Sequence, residues 1–324
     1  MAFVTGTAAS YDELKTAVEN ACIAAGWTLA DDILSKGSAF VQLRVATPAT
    51  LSNSQQGTGL AAFPGTGKSG TTLLGTVDSA PRLGPLTHPN ASYFKQIGLP
   101  FDYFIFTFTA PDEVYVIARW GSYYTRLCFG VSKTPGAGGN GLWVDASVYG
   151  CEGYGGSGYN GAIIGAASGS ASSRIASTPP YPCITGMWQN TRGHWYGTSY
   201  SSSLINTGAG WMVGGPLNYA GQCNAIEPIA PLVAALQSGS FADPPLLPIR
   251  VHQCISATEN RVVLEVENAR YFRLKNHEPE AIIQRGGSQW MVFPWLLKDG
   301  TVAGDVDTAT HSGTFGWAIR YEGP

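Results

Sequence analysis

Charge is the scarcest ingredient of this chain. Only 13% of its 324 residues are Asp, Glu, Lys or Arg, about half the fraction usual in a soluble globular chain. The net charge is −3, and no basic stripe exists that could neutralise a phosphate backbone, so direct nucleic-acid binding is not expected. No apolar run approaches ~18 residues, which excludes a membrane-spanning helix and leaves no expectation of membrane insertion. The opening MAFVTGTAAS has neither the basic flank nor the apolar stretch of a secretory leader, so synthesis in the cytoplasm is expected.

Signatures of chemistry are missing too. The cysteines (Cys22, Cys128, Cys151, Cys183, Cys223 and Cys254) form no CxxC pair and no zinc-spaced cluster. They read as free and buried; Cys151 with Cys183 or Cys223 is the first pairing to expect in an oxidising setting. His88, His194, His252, His277 and His311 share no i,i+4 spacing, and no G-x-S-x-G elbow occurs. DGTVAGDVD, residues 299–307, lacks the alternating oxygen ligands and closing Glu of a calcium loop. The acidic neighbours Asp31/Asp32, Asp112/Glu113 and Asp305/Asp307 read as solvated turn residues. No catalytic residue, metal or cofactor is expected, although carboxylates that meet only in space stay open.

Glycine, proline and aromatics are abundant: 41 Gly, 20 Pro, 15 Tyr, 13 Phe and 9 Trp. With so few charges, this describes many short strands joined by turns, a mainly β fold of antiparallel sheets. Low surface charge also weakens self-repulsion, so the chain is expected to work in contact with neighbours.

One helix stands out. In SYDELKTAVENACIAA, residues 10–25, Ser10 and Glu13 have capping-box spacing, apolar residues recur at helical intervals, and Gly26 supplies the stop. Strands Trp27–Leu29 and Ala39–Val45 are expected around a polar turn, DDILSKGS. Residues 46–92 read as irregular loops with one or two short edge strands. From 101 to 131, FDYFIFTF, VYVIARW and YYTRLCFGV predict an antiparallel meander covered on both faces, with Phe101, Tyr103 and Ile105 on one side and Phe104, Phe106 and Phe108 on the other. Residues 132–224 carry glycine at almost every turn. A Pro-rich connection follows at 226–248 with a short helix at Pro231–Leu236. RVVLEVENARYFRL, residues 261–274, reads as a strand pair turning near Glu267–Asn268, and two strands end the chain. The division expected is 1–225 and 226–324, two lobes able to pack as one domain.

AFPGTGKSGTT, residues 62–72, imitates a phosphate-binding loop at Ala62 to Ser69. Such a loop needs a buried strand before it and a helix after it. The polar, glycine-bearing LSNSQQGTGLA precedes it, and Gly70, Gly75 and Pro81 oppose a helix after it. It reads instead as a surface loop, with Gly65, Gly67 and Lys68 available to clamp a neighbouring subunit. Tyr154, Tyr159, Trp188, Trp195, Tyr196 and Trp211 are the candidate interaction aromatics, able to stack on sugars or pack on a partner protein.

The run YFKQIGLPFDYFIFTFTAPDEVYVIARWGSYYTRLCFGV, with NGLWVDAS after it, resembles a pattern in structural proteins of tailed bacteriophages. The opening DELKTAVENACIAAGWTL and the closing WMVFPWLLKDG and HSGTFGWAIRYEG are similar to the same group. The resemblance covers half the chain and implies no catalytic residue. It implies a virion component of the tail, neck, collar or baseplate, present as a symmetric ring of copies beside connector, tube or baseplate proteins. Two other readings stand beside it: a receptor- or glycan-binding tail protein acting through 132–224, and a β-rich hydrolase.

Overall fold

The computed structural model describes residues 1–46, 59–77, 80–84, 99–134, 138–147, 203–208, 210–214, 222–225, 244–256, 258–295, 297–298, 300 and 314–323. It is mainly β, with antiparallel sheets and one helix among the described residues.

The chain opens with an edge strand that helix-first reasoning does not find. β1 (Ala2–Ala8) leads through Ser10 into α1 (Tyr11–Ala24). Ser10 caps the helix as its spacing predicts, its hydroxyl accepting from the Glu13 amide at 3.1 Å. The Glu13 carboxylate reaches back one residue further than a standard box and accepts from the Ala9 amide at 2.8 Å. Tyr11, Leu14, Val18, Ala21 and Cys22 form the buried stripe.

Next come β2 (Thr28–Ala30), β3 (Ile33–Lys36), β4 (Ala39–Ala46), β5 (Gly59–Gly65), the ribbon strands β6 (Gly67–Ser69) and β7 (Thr72–Leu74), and β8 (Arg82–Leu83). DDILSKGS is therefore not one turn. Asp31 and Asp32, both at positive φ, make a tight hairpin turn, and Ile33 and Leu34 are buried in β3. Nor is 59–65 an edge strand or a loop. β5 lies between β4 and β8 in a five-stranded sheet of order β2-β3-β4-β5-β8, and every residue of it is buried. Leu60 and Ala62 face one apolar cluster, Ala61 and Phe63 another. Its small residues let both clusters close on it, which is why its composition resembles a loop.

The meander is where the pattern places it: β9 (Phe101–Thr109), β10 (Asp112–Trp120) and β11 (Tyr123–Val131), antiparallel in sequence order. Beyond lie β12 (Leu142–Ala146), β13 (Ser203–Asn206), β14 (Trp211–Gly214), β15 (Gln222–Asn224), β16 (Leu247–Ser256), β17 (Glu259–Arg273), β18 (Ile282–Arg285), β19 (Ser288–Pro294) and β20 (Phe315–Tyr321). With β1 they form a 13-stranded sheet of order β1-β9-β10-β11-β12-β13-β14-β15-β16-β17-β20-β19-β18.

This sheet folds over on itself. Phe104 of β9 lies 5.5 Å from Phe293 of β19, and Tyr115 of β10 lies 6.2 Å from Trp317 of β20, ring centre to ring centre. Between the halves sits an aromatic core that includes Phe104, Phe106, Phe108, Tyr115, Trp143, Phe293 and Trp317. The opposite face of β9–β12 presents Phe101, Ile105, Val114, Val116, Leu127 and Phe129 to α1, β4 and β5. Both faces of the meander are covered, by the parity expected. Residues on either side of position 226 share the aromatic core and one sheet, so the two expected lobes are joined by a common interior. The expected helix at Pro231–Leu236 lies outside the described residues.

Two further expectations are corrected. RVVLEVENARYFRL is one strand, β17, not a pair. β16 pairs Pro248 with Arg270 and then Ile249 with Val266, so residues 267–269 bulge out unopposed. Before the bulge β17 pairs with β16, and from Ala269 onward also with β20. Glu113 is also not a solvated turn residue. It is 1% exposed, inside β10.

Candidate functional site

Three polar constellations lie within or at the rim of the aromatic core, and the first two join parts of the sheet remote in sequence.

The first caps the β17 bulge. The Glu113 carboxylate accepts from the Glu267 amide at 2.9 Å, the Asn268 amide at 3.0 Å, Asn268 Nδ2 at 2.8 Å and the Tyr115 hydroxyl at 2.6 Å. Arg270 Nη1 donates to the carbonyls of Val266, Glu267 and Ala269. The main-chain groups that the bulge removes from the ladder thus find side-chain partners. Burial raises the Glu113 carboxyl above the usual glutamate range, against the pull of these hydrogen bonds. Burial and the adjacent carboxylate push the Tyr115 phenol up as well.

The second is a row across one rim. Thr7, Asp102, Arg119 and Tyr124 are register partners on β1, β9, β10 and β11. Thr7 Oγ1 donates to Asp102 at 2.9 Å, and Arg119 pairs with Asp102. Glu280, from the facing half of the sheet, accepts from Arg119 at 2.6 Å and from the Tyr124 hydroxyl at 2.7 Å. Glu280 sits at φ +67, a left-handed conformation uncommon outside glycine and asparagine. The Arg119 guanidinium, helped by Thr7, holds the Asp102 carboxyl below its ordinary value, and burial raises the Tyr124 phenol.

The third is fully interior. Arg126 of β11 and Asp145 of β12 form an ion pair at 2.8 Å with side chains 3% and 1% exposed. Arg126 Nε donates to the same carboxylate oxygen at 3.0 Å, and the Ser203 hydroxyl donates to the other at 2.5 Å. The Ser147 hydroxyl accepts from the Arg126 amide at 2.7 Å, and the guanidinium lies 5.6 Å from the Trp317 ring centre. Ser147 and Ser203 flank residues 148–202, so one described flank is bonded to the Arg126 main chain and the other to the Asp145 carboxylate. Strand directions place the ends flanking 148–202, 226–243 and 301–313 at one rim, the rim that carries the Arg119 row.

The residues singled out by sequence fall differently. Lys68 lies in β6 and reaches the β2–β3 turn of its own chain, with Nζ 3.3 Å from Asp31 Oδ2 and 3.5 Å from the Ala30 carbonyl. Gly67 starts that ribbon, and no helix follows Ser69: β6 pairs with β7. Gly65 is buried at the end of β5, where a Cβ would lie 3.0 Å from the Leu74 carbonyl oxygen and closer still to the Leu73 side chain. Trp211 is half-buried against the helix-side core and donates from Nε1 to the Gly75 carbonyl at 2.7 Å. Tyr154, Tyr159, Trp188, Trp195 and Tyr196 lie outside the described residues, as do Cys151, Cys183, His88, His194, His311, Asp305 and Asp307. Cys223 is free and buried. Burial pushes its thiol up to about 12.

Glu113, Arg119, Arg126, Asp145 and Glu280 are the residues that sequence reasoning misses. Arg119, Arg126 and Asp145 carry one advance signal, a charge inside an otherwise apolar strand, as in VYVIARW, YYTRLCFGV and LWVDA; Glu113 and Glu280 stand beside turns and carry none. Among the described residues no cluster of three or more His, Cys, Asp or Glu side chains could hold a metal, and no helix is long and apolar enough to cross a membrane.

The fold defines a mainly β protein whose layers are cross-linked by buried polar groups. No protein-family model matches the chain, and no curated protein matches it.

Proposed function

We infer that the chain is a non-enzymatic structural component of a tailed-phage virion, assembled as a symmetric ring in the tail, neck, collar or baseplate region. Its partners are other copies of itself and adjoining connector, tube or baseplate proteins. Support comes from the resemblance carried by residues 93–131 and by the two ends of the chain. The observation that carries most weight is the root of the 148–202 connection: a buried ion pair and two serines hold its flanks on a cross-linked scaffold. A β framework cross-linked in this way suits a subunit that holds a fixed surface toward its neighbours.

The polar groups brought together suit latches better than a reaction centre. Asp102 and Glu280 both accept from Arg119, and Asp102 is held low, which makes it a poor proton donor. Imaging of purified particles with this chain located tests the reading. Repeated copies around the particle axis are expected; presence in infected cells with absence from purified particles overturns it. Host-cell binding by the purified chain, lost in Trp188→Ala or Trp195→Ala, would favour the receptor-binding reading instead.

A further inference from the structure

A sheet that ends in an open strand offers a row of main-chain donors and acceptors to any extended segment, and proteins guard such edges with charge, proline, bulges or brevity. The described sheet edges differ in this respect. β8 has two residues, β2 has three and runs into Asp31 and Asp32, and β18 has four and ends in Arg285. β1 is seven residues long, AFVTGTA, without a charge or a proline. It pairs with β9 residue for residue from Ala2–Thr107 to Ala8–Phe101 with no bulge, and no described residue pairs with its outer edge.

The strand is also held in a shape ready for pairing. Thr5 Oγ1 donates to the Tyr103 carbonyl at 2.9 Å. The Tyr103 side chain lies across Gly6, its hydroxyl 2.5 Å from where a Cβ would stand, so an aromatic covers the glycine and fixes the register. Phe3 packs into the aromatic core, 5.2 Å from the Tyr321 ring. Val4 points away from that core and is 39% exposed.

We propose that the outer edge of β1 pairs antiparallel with β1 of a second copy of this chain about a two-fold axis through Val4. Such pairing sets Val4 opposite itself, Phe3 opposite Thr5 and Ala2 opposite Gly6. An uncharged strand meets no repulsion from its own copy, whereas it offers a charged foreign strand no complementary group. Two-fold self-association is also the commonest symmetry of homo-oligomers. The pairing joins two 13-stranded sheets into one continuous sheet, and it does not depend on the virion reading.

Sedimentation velocity of the full chain over a dilution series tests it. A dimer that dissociates on dilution is expected, with Val4→Lys and Val4→Glu each monomeric and their equimolar mixture dimeric again. A wild-type chain that is monomeric throughout, or a dimer that survives both substitutions, overturns the proposal. Should a variant not fold, as read by near-ultraviolet circular dichroism, amide hydrogen exchange of the wild type decides. Protection across residues 2–8 that rises with protein concentration supports the pairing; protection independent of concentration overturns it.

Discussion

Glu113 and Asn268 stand 155 residues apart in sequence and meet through two hydrogen bonds, from the Asn268 amide at 3.0 Å and its Nδ2 at 2.8 Å. One buried carboxylate thereby satisfies the Glu267 and Asn268 amides where the bulge interrupts the β16–β17 ladder. Replacing Glu113 by Ala leaves two amides, a side-chain amide and a phenol without their acceptor, at about 1–3 kcal/mol per unsatisfied group. Relaxation and water entry reduce that total, and a loss of ~3–5 kcal/mol is expected, as for a broken buried pair. Glu113→Gln keeps one acceptor oxygen and should lose less than half as much. Urea denaturation of the three proteins measures both.

The same carboxylate gives stability a pH dependence of unusual sign. Burial raises its folded pKa above the unfolded value, so as pH falls the folded state takes up the proton first. Stability contributed by this group therefore rises as pH falls through the folded pKa, and levels off below the unfolded value of ~4.3. Since Gln does not titrate, the stability of wild type minus that of Glu113→Gln should increase on going from neutral pH toward the ordinary glutamate range. A difference that shrinks on acidification contradicts this account.

What could be read from the sequence depended on periodicity. The α1 cap, the three meander strands and their two-faced burial follow from spacing alone, because each face of FDYFIFTF is apolar. Glu267–Asn268 was legible as an interruption of RVVLEVENARYFRL but not as a bulge, since the group that satisfies it sits on β10. GLAAFPG carries too little bulk to signal a strand; its burial is decided by Leu60, Phe63 and the layers closing on either side. The charged residues of the latches gave no spacing signal: Asp102–Arg119 and Arg126–Asp145 depend on the pairing of neighbouring strands, and the partners of Glu113 and Glu280 are set by the folding of the sheet onto itself.

Lys68 illustrates a motif explained by packing. Its ammonium meets Asp31 with side chains 29% and 49% exposed, and an exposed pair of this kind is worth ~0–1 kcal/mol. Lys68→Ala should lower stability by no more than that. Titration calorimetry with ATP and Mg²⁺ should give no binding heat in either protein, because β6 runs into β7 where a phosphate loop needs a helix. Binding that is lost in Lys68→Ala would contradict the reading.

Gly65 tests the packing of the ribbon on β5. A methyl group there overlaps the Leu73 side chain and crowds the Leu74 carbonyl, so Gly65→Ala should cost ~1–3 kcal/mol through overpacking. Truncating Leu73 to Ala in the same chain removes the side-chain overlap and leaves the carbonyl contact at 3.0 Å. The double variant should lose less than the sum of the two single losses, a coupling that thermal unfolding of all four proteins resolves.

The Arg126–Asp145 pair tests how the root of the 148–202 connection is held. With both side chains almost fully buried, Asp145→Ala strands a guanidinium in the aromatic core and should cost ~3–5 kcal/mol. Arg126→Met combined with Asp145→Leu removes both charges and keeps the volume, so it should be less damaging than either charge removed alone. Ser203→Ala removes one of the donors to Asp145 and should cost about 1.5–3 kcal/mol, the typical range for hydrogen bonds to charged groups. If Asp145→Ala and the double replacement prove equally destabilising, the cost lies in lost packing and not in an uncompensated charge. A smaller loss in the double replacement assigns the cost to the stranded charge, and with it the anchoring of the Ser203 flank to electrostatics in the core, while Ser147 stays bonded to the Arg126 main chain.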